Sequence, residues 1–495
     1  MSAREPLIAG WAQLSDHGTH ADVNAPSPER MLGDVARAAL ARSGRGDELL
    51  ARLGAIAFID SVSWQIPDPA AILAAELARE DVETVRTLTG GIAPIETLAD
   101  SCARIRDGEL DVVLIAGVEC FDILMRAIKD GRDPGFPTQP EGTEPDRTIG
   151  KLGETSHPVE AAAGLIAPVA YYPLFEAAIR ASAGRSPGEH QRHLGELWAR
   201  FAAVAASNPH AWTRDAPGAE EIATAAPGNR QVTIPYTKLM NSNIQTNQAA
   251  ALVLCAEEAA DAIGLAPASR VRVRATATGS DHAFPSERIA LDRSPAIAAC
   301  SRAALDHCGL DLERIEHLDI YSCFPSAVQV AARELGLDPL GKRPLTVTGG
   351  LAFAGGPGSN YVTHSTAALC ERISTEGGRG MATGVGWYLT KHGAVLLSED
   401  GAGGPGYEHF DPQAELDAGP RRQVIPPPAS GTAAIEAYTA ICDREGRPEI
   451  AIATFLLGES RTVAKADDPG SLTAVADRDC LGAEVAFEAD GRFRL

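Results

Sequence analysis

The sequence predicts an α/β protein made of two similar halves, with a helical insertion in the first half and a small β-rich domain at the C-terminus. Three observations predict it: a repeat of strand-like and helix-like segments at nearly constant spacing, a long stretch of the first half without a counterpart in the second, and a change of composition after about residue 400. A length of 495 residues also exceeds what one ordinary core accommodates, so two or three units are expected.

In the first half, Arg37-Ala38-Ala39-Leu40 with Ser43-Gly44 closes a helix-like segment that leads into the strand-like run AIAFIDSV, 55–62. In the second half, Arg302-Ala303-Ala304-Leu305 with Cys308-Gly309 leads into HLDIYSCF, 317–324. Further on, Gly90-Gly91 opens a helical stretch ending Cys102-Ala103-Arg104-Ile105, and Gly355-Gly356 opens one ending Cys370-Glu371-Arg372-Ile373. The runs DVVLIAG, 111–117, and GMATGVG, 380–386, follow them. Strands and helices alternating in this way suit mostly parallel sheets packed around helices; chance likeness among Ala-rich helices is the competing explanation. Between the halves, about Phe121 to Arg230, helical segments such as GEHQRHLGELWARFAAVAASNP alternate with polar, Pro-rich connections. After Asp400, GAGGPGYEHF and VIPPPASG read as linker, and AAIEAYTAICD, EIAIATFLLG, RTVAKA and AEVAFEADGRFRL as strands of a small antiparallel barrel. That barrel resembles the oligonucleotide/oligosaccharide-binding fold, although a plain β domain is equally compatible. The expected units are 1–260 with an insertion over about 121–230, 261–405, and 406–495.

Apolar residues make up 45 % of the chain and aromatics 5 %, with no uninterrupted apolar run of membrane-spanning length. MSAREPLIAG lacks a basic segment followed by an apolar one, so no signal peptide is expected and a cytoplasmic location follows. The nine cysteines form no CxxC pair and read as reduced core residues, which leaves no expected metal site. A formal charge of −22 repels phosphate backbones and excludes nucleic acid as an expected partner; a CoA-type ligand would need a local basic patch.

The order of these motifs, with HLDIYSCFPSAVQVA, GGLAFAGGPG and MATGVGWY in the second half, resembles the thiolase superfamily, and particularly the branch related to sterol-carrier-protein thiolases. The resemblance runs from about residue 5 to 400 and implies an acetyl-CoA acetyltransferase-like acyltransferase of lipid metabolism. A thiolase needs a thiol nucleophile, a base for the α-proton, and donors for two oxyanions. The family's Cys-Ser-Ser-Gly-type turn resembles Leu88-Thr89-Gly90-Gly91 here; its Asn-Glu-Ala-Phe or His-Asp-Cys-Phe segment resembles Tyr321-Ser322-Cys323-Phe324. Its Gly-His-Pro loop resembles Gly355-Gly356-Pro357, and its Cys-x-Gly motif Gly384-Val385-Gly386. Leu88, Tyr321, Gly356 and Gly384 therefore stand where the family carries working groups. Ordinary thiolysis and Claisen condensation are not expected, because such groups act as a set.

Some chemistry could remain. Cys323 is a candidate nucleophile, or else a small core residue, and Tyr321 a candidate donor to a thioester carbonyl. His364 and His392 could supply a displaced acid or base, or be structural; Asp281-His282 is a further pair, more naturally a loop. Gly90, Gly91, Gly355 and Gly386 offer backbone amides to a partial negative charge, or serve close packing. By resemblance, the insertion would receive the CoA moiety. CoA or acyl-CoA is the expected ligand and no other cofactor is required. The alternative is a non-catalytic partner that pairs with an active thiolase-fold protein or delivers a lipid or acyl ligand, its oligomeric state open between monomer and homodimer.

Overall fold

The repeat read from the sequence returns as a repeat of strand order. In a computed structural model of the protein, which describes residues 4–17, 27–151, 153–401 and 403–495, one mixed sheet runs through both halves. Met1 to Ala3, part of the N-terminal stretch read for a leader, lie outside the described residues. The strands are β1 (Pro6–Ser15), β2 (Leu53–Ile59), β3 (Glu83–Thr87), β4 (Val112–Cys120), β5 (Arg147–Ile149), β6 (Asn247–Ala256), β7 (Val271–Ser280), β8 (His317–Asp319), β9 (Arg379–Gly386), β10 (Lys391–Glu399) and β11 (Glu408–Phe410). Their order is β5-β3-β2-β4-β6-β1-β7-β10-β9-β8, with β11 beside β7.

Outward from the middle, β1-β6-β4-β2 matches β7-β10-β9-β8. In each set the first two pairings are antiparallel and the third is parallel. The halves join where Leu7 and Ile8 pair with Arg272 and Val271. Helices Pro28–Arg42 and Pro295–His307 occupy equivalent places, and Gly44 and Gly309 follow them at φ +70° and +60°, a left-handed backbone that glycine adopts without a Cβ penalty. Helices Ala93–Arg106 and Tyr361–Glu376 share one core: Leu98, Cys102 and Ile105 pack in the same cluster as Ala367, Cys370 and Ile373. Their N-terminal ends bring the two glycine turns to one side of the molecule.

The insertion carries helices Pro168–Ser182 and Pro187–Ser207, the second opened by Ser186 and Glu189 in a reciprocal cap. It also carries β5, which pairs with the outer edge of β3 at Val85↔Arg147, Arg86↔Thr148 and Thr87↔Ile149. Strand β3 thus has a neighbour on both sides and offers no open edge to a second chain.

The C-terminal segment is a curled five-stranded antiparallel half-barrel: β12 (Thr432–Cys442), β13 (Pro448–Leu457), β14 (Ser460–Ala466), β15 (Glu484–Phe487) and β16 (Phe493–Arg494), in the order β14-β13-β12-β15-β16. A helix, Pro469–Asp477, interrupts the strands expected there; Asp468 caps it by accepting from the Ser471 amide at 3.1 Å, and Pro469 fixes its first turn. The Glu408–Phe410 stretch read as linker adds to the central sheet, parallel to β7. The half-barrel packs on the insertion, with Ala437, Ile452 and Val463 in one core cluster with Tyr171, Phe175 and Tyr236. No described helix is long and apolar enough to cross a membrane.

Candidate functional site

The two glycine turns, the Tyr321–Phe324 segment and the β9–β10 hairpin enclose a cavity of about 430 Å³. That volume lies within the range of small-molecule sites. Helix Pro168–Ser182 supplies its aromatic wall. Tyr172 stacks on Phe324 with ring centres 4.3 Å apart, and Tyr171 stacks on Tyr388 at 3.9 Å. The Tyr172 hydroxyl donates to the Trp387 carbonyl at 3.1 Å and accepts from the Leu389 amide at 3.2 Å. Trp387 and Leu389 hold φ of +56° and +57°, an uncommon backbone for bulky residues that the surrounding contacts must enforce. The insertion therefore clamps the hairpin that lines the cavity.

Beneath the segment, buried Asp319 accepts from the hydroxyls of Thr346, Thr348 and Tyr361 and from the amides of Val347 and Thr348, at 2.8–3.1 Å. Tyr361, so fixed, meets the Tyr321 ring edge-on at 5.5 Å. The Tyr321 hydroxyl has no protein hydrogen-bond partner among the described residues. It lies 2.9 Å from the point a Cβ on Gly91 would occupy, which puts it against the glycine turn.

Tyr321, Cys323, Gly90, Gly91 and Gly356 line the cavity; Leu88, Gly384, Gly355 and Gly386 do not. The Leu88 amide donates to the Ile149 carbonyl at 2.8 Å, continuing the β3–β5 pairing, and its Cβ faces Gly150. Thr89 lines the cavity in its place, its hydroxyl bonded to Asp60. Gly384 lies behind the turn, where a Cβ would be 2.9 Å from Ile95 Cδ1 and 3.4 Å from the Gly91 carbonyl. A Cβ at Gly386 would approach Lys391 Cβ at 3.2 Å.

Space that side chains of the glycine loop would need is already filled. A Cβ at Gly356 would lie 2.2 Å from Ser242 Oγ, one at Gly355 2.0 Å from Gln248 Oε1, and one at Gly358 2.2 Å from Glu119 Oε1. The turn amides are partly spent as well: Gly90 donates to Ser359 Oγ at 3.0 Å and Gly356 to the Asn243 carbonyl at 2.8 Å. Ser242 and Asn243 lacked any sequence signal, because they reach the site from the run that leads into β6.

Cys323 is buried, and desolvation pushes its thiol up to about 12 despite the Tyr172 hydroxyl beside it. At neutral pH the thiol is therefore overwhelmingly protonated. Neither histidine reaches it. His364 stands against β1, its Nδ1 3.1 Å from Gln13 Oε1, and His392 lies under the hairpin. His392 Nε2 is 2.9 Å from the Leu389 carbonyl, 3.1 Å from Ser294 Oγ and 3.3 Å from Asp281 Oδ2. This resembles a Ser-His-Asp set only in composition, since one ring nitrogen faces all three partners and Ser294 caps helix Pro295–His307. Burial would raise Asp281, yet His392, Arg288 and Ser294 together outweigh it and bring the carboxyl down to about 2. Among the described residues, no group of three His, Cys, Asp or Glu side chains could hold a metal ion.

Burial, with a smaller contribution from His210, lowers His364 to about 3. An unfolded histidine titrates near 6.5, so below that pH the unfolded chain takes up a proton that the native state refuses. The stability this gives is present above about pH 6.5 and is lost progressively as pH falls toward 3. The melting temperature is expected to fall more steeply between pH 7 and 4 in the wild type than in His364→Gln; parallel curves would contradict the assignment.

Residues 411–492 match the additional C-terminal domain of thiolase-like protein type 1. Over 99 % of this chain and 98 % of the other, the fold is similar to a monomeric SCP2-thiolase-like protein type 1 from Mycobacterium smegmatis, with a TM-score of 0.81 and 26 % identity. It is also similar to an acetyl-CoA acetyltransferase from Syntrophomonas wolfei, with TM-score 0.56, 15 % identity, and 81 % of this chain and 100 % of that one covered. An aldolase described as Ltp2-ChsH2(DUF35) gives TM-score 0.58 at 17 % identity over 80 % and 98 % of the chains. No curated protein matches the sequence.

Proposed function

With the chain an SCP2-thiolase-like protein of the thiolase superfamily, we propose that it binds an acyl thioester or its acyl part in the cavity and performs neither thiolysis nor Claisen condensation. The observation that carries this is the pairing of a largely apolar cavity with a glycine at 356, whose side-chain position the Ser242 hydroxyl occupies, and a leucine at 88 turned toward Gly150. A reaction through an acyl-enzyme needs a nucleophile, a base and oxyanion donors in one place. Here the remaining thiol is held neutral and both candidate bases lie elsewhere. Weighing the intact protein after exposure to acyl-CoA, under native and then denaturing conditions, separates binding from acylation.

The partner reading also has support. The aldolase neighbour is described with two named components, one of them DUF35, and Val62, Ile166 and Ile244 stand 47, 69 and 53 % exposed near the cavity mouth. In that reading a partner would exchange ligand with the cavity across this apolar rim.

A further inference from the structure

The ligand's chemical class can be narrowed, and the narrowing rests on the reading of the cavity as an acyl site. We infer that the cavity recognises an uncharged apolar acyl group with one carbonyl, held by the Tyr321 hydroxyl, and gives no recognition to the nucleotide of CoA.

The wall is mostly apolar, with Val169, Tyr172, Phe324, Leu351, Val385 and Trp387, and its neutral polar side chains besides the tyrosines are Thr89, Asn241, Ser242 and Ser359. Among the described residues, no Lys, Arg, His, Asp or Glu lines it. Burying a hydrocarbon chain against such a wall gains roughly 0.8 kcal/mol per CH₂. A carbonyl on that chain would need a donor; among the described residues Tyr321 Oη, Ser242 Oγ and Ser359 Oγ are the wall hydroxyls without a protein acceptor, and Tyr321 Oη is the one carried by a ring that Tyr361 fixes edge-on against the Gly91 turn. Its pKa is raised by burial, so it remains a donor throughout the physiological range.

Phosphate recognition needs cations or free helix-start amides. The Gly90, Gly356 and Gly358 amides are already donated within the protein, which leaves the Gly91 amide as a lone turn donor with no cation beside it on the wall. The neighbouring cleft, separated from the cavity by Trp387, holds Lys391 and Arg421 against Glu154, Asp281, Glu287 and Asp417. Lys391 is further engaged with the Lys151 carbonyl at 2.9 Å. A nucleotide carrying several phosphates would meet more carboxylates than cations there, on a chain whose net charge is −22.

The test compares octanoyl-CoA with the octanoyl thioester of N-acetylcysteamine, which keeps the acyl group and carbonyl but lacks the nucleotide. Calorimetry uses the full chain at low and high ionic strength. The two are expected to bind within about threefold of each other, with little dependence on salt. Tyr321→Phe is expected to weaken both by about 3- to 10-fold, the effect of one hydrogen bond, while its melting temperature stays near that of the wild type. If octanoyl-CoA binds about 30-fold or more tightly than the truncated thioester and the surplus fades with salt, the nucleotide is recognised; this inference is then overturned while the acyl-site reading stands. If neither thioester binds, both fall.

Discussion

Installing Leu88→Cys together with Gly356→His is expected to leave acetoacetyl-CoA cleavage at least roughly 10⁴-fold below the rate a complete nucleophile-and-base set supports. A cysteine at 88 would follow Leu88 toward Gly150, because the residue 88 amide is tied to the Ile149 carbonyl and β5 pins the preceding strand. A histidine at 356 would begin with its Cβ 2.2 Å from Ser242 Oγ and 3.3 Å from the Asn243 carbonyl, so the Ser242 hydroxyl would have to rotate away and the carbonyl give slightly before an imidazole was seated. Adding Ser242→Gly would make room there and still leave residue 384 crowded by Ile95 and the Gly91 carbonyl. A spectrophotometric assay of thioester cleavage reads this directly. Turnover restored to within about tenfold of an ordinary thiolase by the double variant alone would mean that the geometry at 88 and 356 is far more adaptable than these contacts allow.

Arg461→Ala is expected to cost about 3–5 kcal/mol, because Arg461 is fully buried and its loss leaves Glu436 without a countercharge. Its Nε and Nη2 donate to both Glu436 oxygens at 2.7 and 2.6 Å, and its Nη1 donates to the Ser286 carbonyl at 2.9 Å. It also donates to the Arg288 and Ile289 carbonyls, so one side chain of the half-barrel satisfies three carbonyls of the main body. Arg288, buried nearby and lowered in pKa mainly by desolvation, would be relieved of a like charge, but that is the smallest of its influences. The expected readout is a lower denaturation midpoint together with faster proteolysis after residue 420. Arg461→Met with Glu436→Leu is expected to recover part of the loss, since it removes both charges and leaves the carbonyls unpaired. A wild-type midpoint in Arg461→Ala would show that the half-barrel is held by its apolar contacts alone.

Much of the fold was legible because it is periodic. Helix ends at Gly44 and Gly309, and the strands that follow, repeat with enough regularity to show two halves in the sequence alone. The glycine at 356 was equally legible, since an absent side chain needs no structure to be noticed. The orientation of Leu88 was not. It depends on β5, three residues inside a Pro-rich connection with no alternation to betray a strand, and on a pairing more than 60 positions away in sequence. His364 and His392 were ambiguous for a related reason: each lies in a run of mixed apolar and polar residues, and only the tertiary structure decides whether such a ring faces a ligand or is buried against Gln13 or Leu389. Short pieces fared worst at the C-terminus, where Glu408–Phe410 gains its strand character entirely from β7.

The most direct test of binding without acylation is the intact mass of the wild-type protein after incubation with octanoyl-CoA. A ligand-bearing species is expected under native conditions and, after denaturation, the mass of the unmodified polypeptide alone. An octanoyl adduct that survives denaturation and disappears in Cys323→Ala would identify a working nucleophile in the cavity and contradict binding without acylation.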